Sequence, residues 1–187
     1  MSVMQEQTGT SLSVDPHPTT PPSARGQYGR LVWGIALVVL VVDQGTKAWA
    51  LSRLDPGVAR PFIGDLITLQ LVRNAGAAFS LFEGMTYLVT ALAVGVVGWI
   101  FVLAHGRLAS RAYGWCLGAV AGGALGNLGD RFFRDPGPGR GHVVDFLDYF
   151  GFFVGNVADI AIVLAALGIL PLVHRGIHLD GTRDTHE

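Results

Sequence analysis

Four long apolar stretches, separated by polar connections, dominate the pattern of this chain. Each is close to the ~20 residues that an α-helix needs to cross the hydrocarbon core of a bilayer. They cover roughly residues 31–52, 85–105, 112–133 and 151–173. The pattern predicts an all-α membrane protein with four transmembrane helices. An even number of spans places both chain termini on the same side of the membrane.

Polar segments flank the predicted membrane domain, which we place at residues 30–174. Residues 1–29 are rich in Ser, Thr and Pro and contain too little apolar surface to offset the entropy of ordering, so we expect a flexible tail. A second, short tail is expected at residues 175–187.

The first apolar stretch has an alternative interpretation as a signal peptide, because Ala48-Trp49-Ala50 imitates a cleavage site. A cleavable segment does not need the charged residues Asp43 and Lys47 on neighbouring turns, and cleavage would separate both from the rest of the protein. We therefore interpret the stretch as a retained transmembrane span.

The short connection at residues 106–111 bears on the orientation. It contains Arg107 and Arg111 and no acidic residue, whereas segment 53–84 balances its charges and segment 134–150 has three acidic residues against two arginines. Because cytoplasmic loops carry an excess of basic residues, we expect this connection and both termini to be cytoplasmic.

The two longer connections contain the non-helical elements. Ile67, Leu69 and Leu71 alternate with polar residues, which predicts a small extracytoplasmic β element between spans one and two. In the second connection a Pro-Gly-Pro-Gly sequence precedes residues 143–153, an aromatic-rich run suited to the membrane interface. That run would hold Asp145 near the same face.

The composition supports a membrane protein and excludes several other classes. Of the 187 residues 50% are hydrophobic and only 14% are charged, against about a quarter charged in a typical soluble domain. A net charge of −1 gives no electrostatic footprint for nucleic acid. A single cysteine, Cys116, allows neither an intramolecular disulfide nor a thiolate metal cluster.

Three acidic residues within the spans fall at one membrane depth. Asp43 lies late in span one, Asp130 late in span three and Asp159 early in span four, so alternating directions bring them near the same face. A charged side chain in hydrocarbon costs at least ~2.5 kcal/mol, so each must be paired, solvated or neutral.

Most of these polar residues have a structural explanation. Asp43 and Lys47 are spaced i, i+4 and are predicted to form an ion pair. Asn127 is predicted to bond between helices, and Asp130 to pair with Arg131. The small residues Gly118, Gly122 and Gly126 precede them and permit close helix approach. Asn74 is interpreted as a turn residue.

Asp159 has no basic residue nearby in its own span, so it needs a partner from another segment. If that partner is a second carboxylate, the two cannot both ionise cheaply, and one keeps a proton near neutral pH. Aspartic hydrolases use such a pair of carboxyl groups for catalysis. Spacing leaves four candidates, with a slight preference for the third, which lacks an adjacent base: Asp43, Asp130, Asp145 and Asp148. Asp148 would share the helix face of Asp145 if the run were helical, and is otherwise a solvated or capping charge.

Other catalytic chemistries are disfavoured by the residues. A Ser-Lys dyad would pair Lys47 with Ser52 or Ser80, and Ser52 at i+5 does not face the lysine well. Cys116 lies far from the polar end of its span and is interpreted as a packing residue. The histidines form no HExxH motif, and His142 alone is weak support for a metal site. Metal catalysis is therefore disfavoured.

Five short motifs, taken in order, resemble those of the signal peptidase II (prolipoprotein signal peptidase) family. They are Val42-Asp43-Gln44-Gly45-Thr46-Lys47, Asn74-Ala75-Gly76-Ala77-Ala78-Phe79, the glycine-rich run from Gly122 to Arg131, Val143-Val144-Asp145-Phe146 and Asn156-Val157-Ala158-Asp159. Each motif is weak alone, but the series on four spans is highly specific. The resemblance covers residues 31–173.

The resemblance implies an aspartic endopeptidase of the bacterial cytoplasmic membrane that removes signal peptides from prolipoproteins, cutting before a diacylglyceryl-modified cysteine. Its partners would be lipid-modified prolipoproteins and membrane lipid, with no nucleic acid and no cofactor. Motif by motif, it implies that Asp145 and Asp159 are the catalytic pair near the extracytoplasmic face. The remaining motif residues would support the site or bind substrate: Asp43, Lys47, Asn74, Asn127, Asp130, Arg131 and Asn156.

One position departs from the family pattern. The family usually has Phe immediately before the last motif's Asn, whereas this chain has Gly155. We expect Phe152 or Phe153 to supply the missing bulk through a shifted register.

Two other functions stay open at this point. Intramembrane carboxylates also build proton relays, so a small proton-coupled transporter would share many of these residues. No inverted repeat is visible in the sequence to support it. In a non-catalytic assembly factor, the acids would only pair with Arg131 and Lys47.

Overall fold

The structure is a computed structural model that describes residues 27–64, 66–76 and 86–184. Its helices are α1 (Gly29–Arg53), α2 (Thr86–Gly106), α3 (Arg111–Phe133) and α4 (Val157–His174). Its strands are β1 (Arg60–Ile63), β2 (Ile67–Asn74), β3 (Val143–Tyr149) and β4 (Phe153–Gly155). The expected polar tail lies almost wholly outside the described residues.

Within the described part, three helices are long and apolar enough to cross a membrane: α1, α2 and α4. Their outer faces carry exposed large apolar side chains, such as Leu37, Val102 and Leu167. Such a surface suits hydrocarbon rather than water. α3 is 23 residues long but glycine-rich, and it packs against the other three helices. It is therefore the centre of the bundle.

The glycines of α3 allow this central position. A Cβ atom at Gly118 would lie 2.8 Å from the carbonyl oxygen of Val32, and one at Gly122 would lie 2.6 Å from that of Ala36. On another face, a Cβ at Gly123 would lie 2.7 Å from the carbonyl oxygen of Ala158. The predicted close helix approach is confirmed, because α3 touches the backbones of both α1 and α4.

The strand predicted between the first two helices is present as β2, but the β structure is larger than expected. The four strands form one antiparallel sheet in the order β1-β2-β3-β4. Residues 143–149, expected as an interfacial aromatic run, are the inner strand β3 and are nearly all buried. The prediction that confined the β element to the first connection is wrong, because the second connection supplies half of the sheet.

The predicted start of the fourth span at residue 151 is also wrong. Gly151 lies in a turn, Phe153–Gly155 is a strand, and α4 begins at Val157. Asn156 caps the helix: its side chain accepts a hydrogen bond from the backbone N–H of Asp159, whose side chain accepts one from the backbone N–H of Asn156. This capping box fixes the beginning of α4.

Two apolar cores lie at opposite ends of α1, with polar residues between them. One core contains Val32 and Ala36 and the adjoining ends of α2 and α3. The other contains Ala50 and Leu54 and packs them under the sheet. Asp43 and Lys47 lie between these groups on the same helix and are fully buried.

The segment after α4 folds back on the bundle. The carbonyl oxygen of Leu179 accepts hydrogen bonds from the backbone N–H groups of Ala109 and Ser110, at 2.9 and 3.0 Å. The hydroxyl of Tyr113 donates to the carbonyl oxygen of Ile177 at 3.0 Å. Residues 175–184 therefore form an ordered cap over the α2–α3 connection.

Candidate active site

A cavity of about 840 Å³ lies where the helices meet the sheet. Its apolar wall includes Val89, Ala93 and Val96, spaced i, i+4 and i+7 along one face of α2. Besides Arg73, its polar lining consists of six predicted site residues: Asn74, Asn127, Arg131, Asp145, Asn156 and Asp159. The cavity thus combines an apolar trough along the helices with a polar end beside the sheet.

Asp145 is held by amide groups in the middle of the sheet. Its side chain is 2% exposed on β3. The Nδ2 group of Asn74 on β2 donates to its Oδ2 at 2.8 Å, and that of Asn156 donates to its Oδ1 at 2.6 Å. Each carboxylate oxygen therefore has a fixed donor.

Asp159 stands in the first turn of α4 and faces the same cavity. Its Oδ2 accepts the backbone N–H of Asn156 at 3.0 Å, and its Oδ1 accepts Nδ2 of Asn127 at 3.2 Å. The expected partner from another segment is therefore an amide of α3 together with the neighbouring carboxyl of Asp145.

Asn156 connects the two acids. Its side chain donates to Asp145, and its backbone N–H donates to Asp159. Burial raises the pKa of Asp145 to about 6, and the charge of Asp159 adds to the rise, while the amide donors of Asn74 and Asn156 oppose it. A carboxyl with such a pKa holds a proton more readily than an ordinary aspartate.

The predicted ion pair of Asp43 and Lys47 is confirmed, with Nζ to Oδ2 at 2.8 Å. Lys47 also reaches α3, where it contacts Oδ2 of Asp130 and Oδ1 of Asn127, both at 2.9 Å. Asp43, Lys47 and Asp130 do not line the cavity but lie behind its polar wall. They form a support layer that joins α1 to α3.

The predicted pairing of Asp130 with Arg131 is wrong. Asp130 instead pairs with Lys47 and with Arg134, whose Nε lies 2.6 Å from Oδ1. Residues i and i+1 of a helix point in different directions, whereas i and i+4 share a face. Arg131 turns to the loop and donates through Nη1 to the carbonyl oxygens of Ala75 and Gly141, at 3.5 and 3.4 Å.

The other candidate carboxylates are engaged elsewhere. Asp43 accepts the backbone N–H of Ala158 at 3.0 Å, besides its contact with Lys47. Asp148 is buried and accepts the hydroxyl of Thr68 and the backbone N–H of Gly151. Because residues 145 and 148 of one strand point to opposite faces, Asp148 does not share the surroundings of Asp145. The prediction of a solvated or helix-capping charge is wrong for Asp148, because it is buried on β3 and bonds a neighbouring strand and the β3–β4 turn.

The interpretation of Asn74 as a turn residue is confirmed. Its Oδ1 accepts the backbone N–H of Gly76 at 2.8 Å, which leaves Nδ2 free to bond Asp145. Gly76 has φ +105°, and a Cβ there would lie 3.2 Å from Nη2 of Arg131. The rest of this motif, Ala77-Ala78-Phe79, lies outside the described residues.

At Gly155, where a Phe was expected from the family pattern, the ring of Phe153 fills the space. A Cβ atom on Gly155 would lie 2.7 Å from Cε1 of Phe153 and 2.9 Å from Oδ2 of Asp159. Phe153 also stacks on Tyr149, with ring centroids 6.2 Å apart. The shifted register places aromatic bulk beside Asp159.

Two residues of this region were missed in the sequence. Nε2 of Gln44 donates to the carbonyl oxygen of Gly126 at 2.9 Å and contacts Asp130, so it reinforces the support layer. Arg134 pairs with Asp130, and its i+4 spacing could have revealed it. Gln44 had only its position beside Asp43 to indicate a role. Among the described residues, no group of three metal-ligating side chains was found.

Apolar helices around a cavity with one buried and one half-buried carboxylate place this chain in a class, the helical membrane enzymes. A solved structure described as "Bacterial membrane enzyme structure by the in meso method at 1.9 A resolution" shares the fold, with a TM-score of 0.64 and 23% sequence identity. The match covers 74% of this chain and 89% of that one. The chain belongs to the signal peptidase II family, whose sequence profile, described as Signal peptidase (SPase) II, matches residues 35–174.

Named relatives agree with this assignment. A lipoprotein signal peptidase of Rhodococcus jostii (strain RHA1) is 48% identical over 171 residues, which are 90% of this chain and 85% of that protein. A lipoprotein signal peptidase of Mycobacterium avium (strain 104) is 46% identical over 162 residues, covering 87% and 88% of the two chains. Membership in a peptidase family leaves the proton-coupled transporter without support.

Proposed function

We propose that this protein is an aspartic endopeptidase that cleaves the signal peptide from diacylglyceryl-modified prolipoproteins, just before the lipidated cysteine. The observation that carries the proposal is the placement of Asp145 and Asp159 from separate elements on one cavity, joined through Asn156. Family membership supplies the class of substrate.

The chemistry needs one ionised and one protonated carboxyl. The ionised carboxylate removes a proton from water as its oxygen attacks the scissile carbonyl carbon, while the protonated carboxyl donates a hydrogen bond to the carbonyl oxygen. The tetrahedral intermediate then collapses, the C–N bond breaks, and a proton passes to the leaving amine. The raised pKa of Asp145 fits a pair that shares one proton.

The shape of the cavity suits a substrate with a lipid anchor. Burial of an acyl chain in an apolar environment is favourable by about 0.8 kcal/mol of free energy per methylene, so a lipidated cysteine stays at the membrane. Val89, Ala93 and Val96 on α2 continue the apolar wall away from the carboxylates. We expect the peptide backbone to meet the polar end and the apolar part of the substrate to lie along this trough.

Neutralising either acid tests the proposal. Asp145→Asn and Asp159→Asn are each expected to lower the cleavage rate about 100- to 10,000-fold, because a general acid or base is lost. The assay incubates purified protein with a diacylated and an unlipidated precursor and measures product masses. Asp148→Asn, on the same strand but bonded to Thr68 and Gly151, is the matched control and should retain turnover. Retained turnover in an Asp145 or Asp159 variant would remove that residue from the dyad.

For the membrane topology we propose that α3 also crosses the membrane, in addition to α1, α2 and α4. The chain then has four spans in a bacterial cytoplasmic membrane. Arg107 and Arg111 favour a cytoplasmic α2–α3 connection and cytoplasmic termini, so the sheet and the two acids would lie near the extracytoplasmic face. Because Cys116 is the chain's only cysteine, Arg107→Cys and Arg140→Cys can be made in a Cys116→Ala background. An impermeant thiol reagent applied to intact cells should label only the Arg140→Cys variant, and the opposite pattern would reverse the orientation.

A further inference from the structure

Lys47 has an unusual environment within the support layer. It is the only lysine of the chain, and its side chain is fully buried. Its Nζ contacts three oxygens: Oδ2 of Asp43 at 2.8 Å, Oδ2 of Asp130 at 2.9 Å and Oδ1 of Asn127 at 2.9 Å. An ammonium has three N–H groups, so each has one acceptor. The third contact is the only one of these that leads toward the cavity.

That third contact determines how the amide of Asn127 is oriented. Oδ1 of Asn127 accepts from both Lys47 and Nδ2 of Asn156, the latter at 3.2 Å. Flipping the amide would aim its N–H groups at an ammonium and at another amide N–H, which is unfavourable. The amide nitrogen therefore faces Asp159 and donates to its Oδ1.

We infer that Lys47 is a positioning residue of the dyad: by fixing the amide of Asn127, it makes Asp159 the carboxylate that carries the negative charge and Asp145 the one that holds the shared proton. This inference rests on the proposed function. It assigns Asp159 as the base that activates water and Asp145 as the acid beside the scissile carbonyl.

The positions of the two acids in the fold also favour a negative charge on Asp159 rather than on Asp145. Asp159 lies in the first turn of α4, where the helix dipole favours a negative charge. Asp145 lies on β3 within the sheet and is not part of a helix, and it accepts hydrogen bonds from the side-chain amides of Asn74 and Asn156.

Several other charged or titratable groups act on this pair and must be considered in any pH experiment. Asp159 interacts with Asp43 and Lys47 of α1, and Tyr149 of β3 interacts with Asp159. Arg131 of α3 and Lys47 of α1 interact with Asp145. Of these, only Lys47 is linked to Asp159 through a hydrogen-bonded amide.

The test is the pH dependence of cleavage by Lys47→Met. Without the lysine, the amide of Asn127 is free to turn away from Asp159. We expect kcat to fall about tenfold. In the plot of kcat/KM against pH, the acid limb, where activity is lost as the base takes up a proton, should move upward by about one pH unit. KM should stay unchanged because Lys47 does not line the cavity.

Arg134→Gln is the matched control. It also removes one positive charge and one ion pair of Asp130, but it leaves the contact of Lys47 with Asn127 intact. It should lower the thermal stability without moving the acid limb. An equal shift in Arg134→Gln and Lys47→Met would assign the effect to net charge and overturn the inference.

A second variant covers the case in which Lys47→Met fails to fold, since it leaves two buried carboxylates without their lysine. Asn127→Ser keeps Lys47 with both acids and removes only the bridging amide, so it should reproduce the shift of the acid limb. Where both variants fold, the double variant should shift no further than either alone. The inference would be overturned if the acid limb of kcat/KM did not move in Asn127→Ser, or if the shifts of the two single variants added in the double variant. The proposed function would still hold in either case, as long as the wild-type protein cleaves the lipidated precursor.

Discussion

At the scale of single residues, the burial of Asp145 has a measurable cost. Its folded-state pKa, raised to about 6 mainly by burial, lies above the ~3.9 of an unfolded aspartate. Between these two values the unfolded chain has already lost the proton that the folded chain keeps. Folding therefore becomes less favourable as the pH rises through this window, by up to about 3 kcal/mol.

We predict that Asp145→Asn removes this component of the pH dependence, because the amide does not titrate. Thermal unfolding of both proteins in the same detergent, at pH 4.5 and pH 7.5, measures the difference. The melting temperature of the variant relative to wild type should be higher at pH 7.5 than at pH 4.5. A constant difference at both pH values would mean that Asp145 ionises normally in the folded protein.

Asn156 combines two roles that substitution can separate. Serine at this position can still cap α4, but it cannot reach Asp145. We predict that Asn156→Ser and Asn156→Ala both lose activity, and that Ala lowers the free energy of unfolding by about 1 kcal/mol more than Ser. Cleavage rates and thermal unfolding check the two parts independently. Equal stabilities of the two variants would argue against the cap.

At the scale of elements, the contact between α1 and α3 decides whether the polar layer forms. Gly122 faces the backbone of Ala36, and Gly126 faces the carboxylate of Asp43. A side chain at either position would push the helices apart. The ion pairs of Lys47 require both helices at this close distance.

We predict that Gly122→Ala destabilises the protein by about 1–3 kcal/mol, because the backbone of Ala36 cannot move aside as a flexible side chain could. Gly98→Ala on α2 is the control, since a Cβ there meets nothing within 4 Å. Thermal unfolding should separate the two variants. Similar stabilities would show that α1 and α3 can separate at little cost.

At the scale of the whole molecule, the two ends of the bundle have different roles. The cap formed by residues 175–184 lies at the Tyr113 end of α3, and Asn127 is roughly 21 Å further along that helix at 1.5 Å per residue. The cap adds Ile177 and Leu179 to the apolar core at its own end.

Deleting residues 177–187 should therefore lower the melting temperature and leave cleavage by the folded protein nearly unchanged. The lost contacts include two backbone hydrogen bonds from the α2–α3 connection to Leu179. Tyr113→Phe, which loses only its bond to Ile177, should show a smaller change. A loss of cleavage at a temperature where the truncated protein is folded would tie the cap to the active site.

The sequence by itself determined the four helices apart from the beginning of α4, the alternating strand β2, the pairing of Asp43 with Lys47 and the approach at Gly122. Each of these depends on periodicity or spacing within one segment, so local patterns are sufficient to predict it. The motif series also carried the family, because five weak motifs in order are together specific.

Only the tertiary structure decided the rest. Residues 143–149 have no clean alternation because an inner strand is buried on both faces, so their place in the sheet was hidden. The contact of Asp130 with Lys47 and the link from Lys47 through Asn127 to Asp159 join segments about 30 to 80 residues apart. Contacts of that kind follow from how elements pack in three dimensions, and no pattern within a single segment records them.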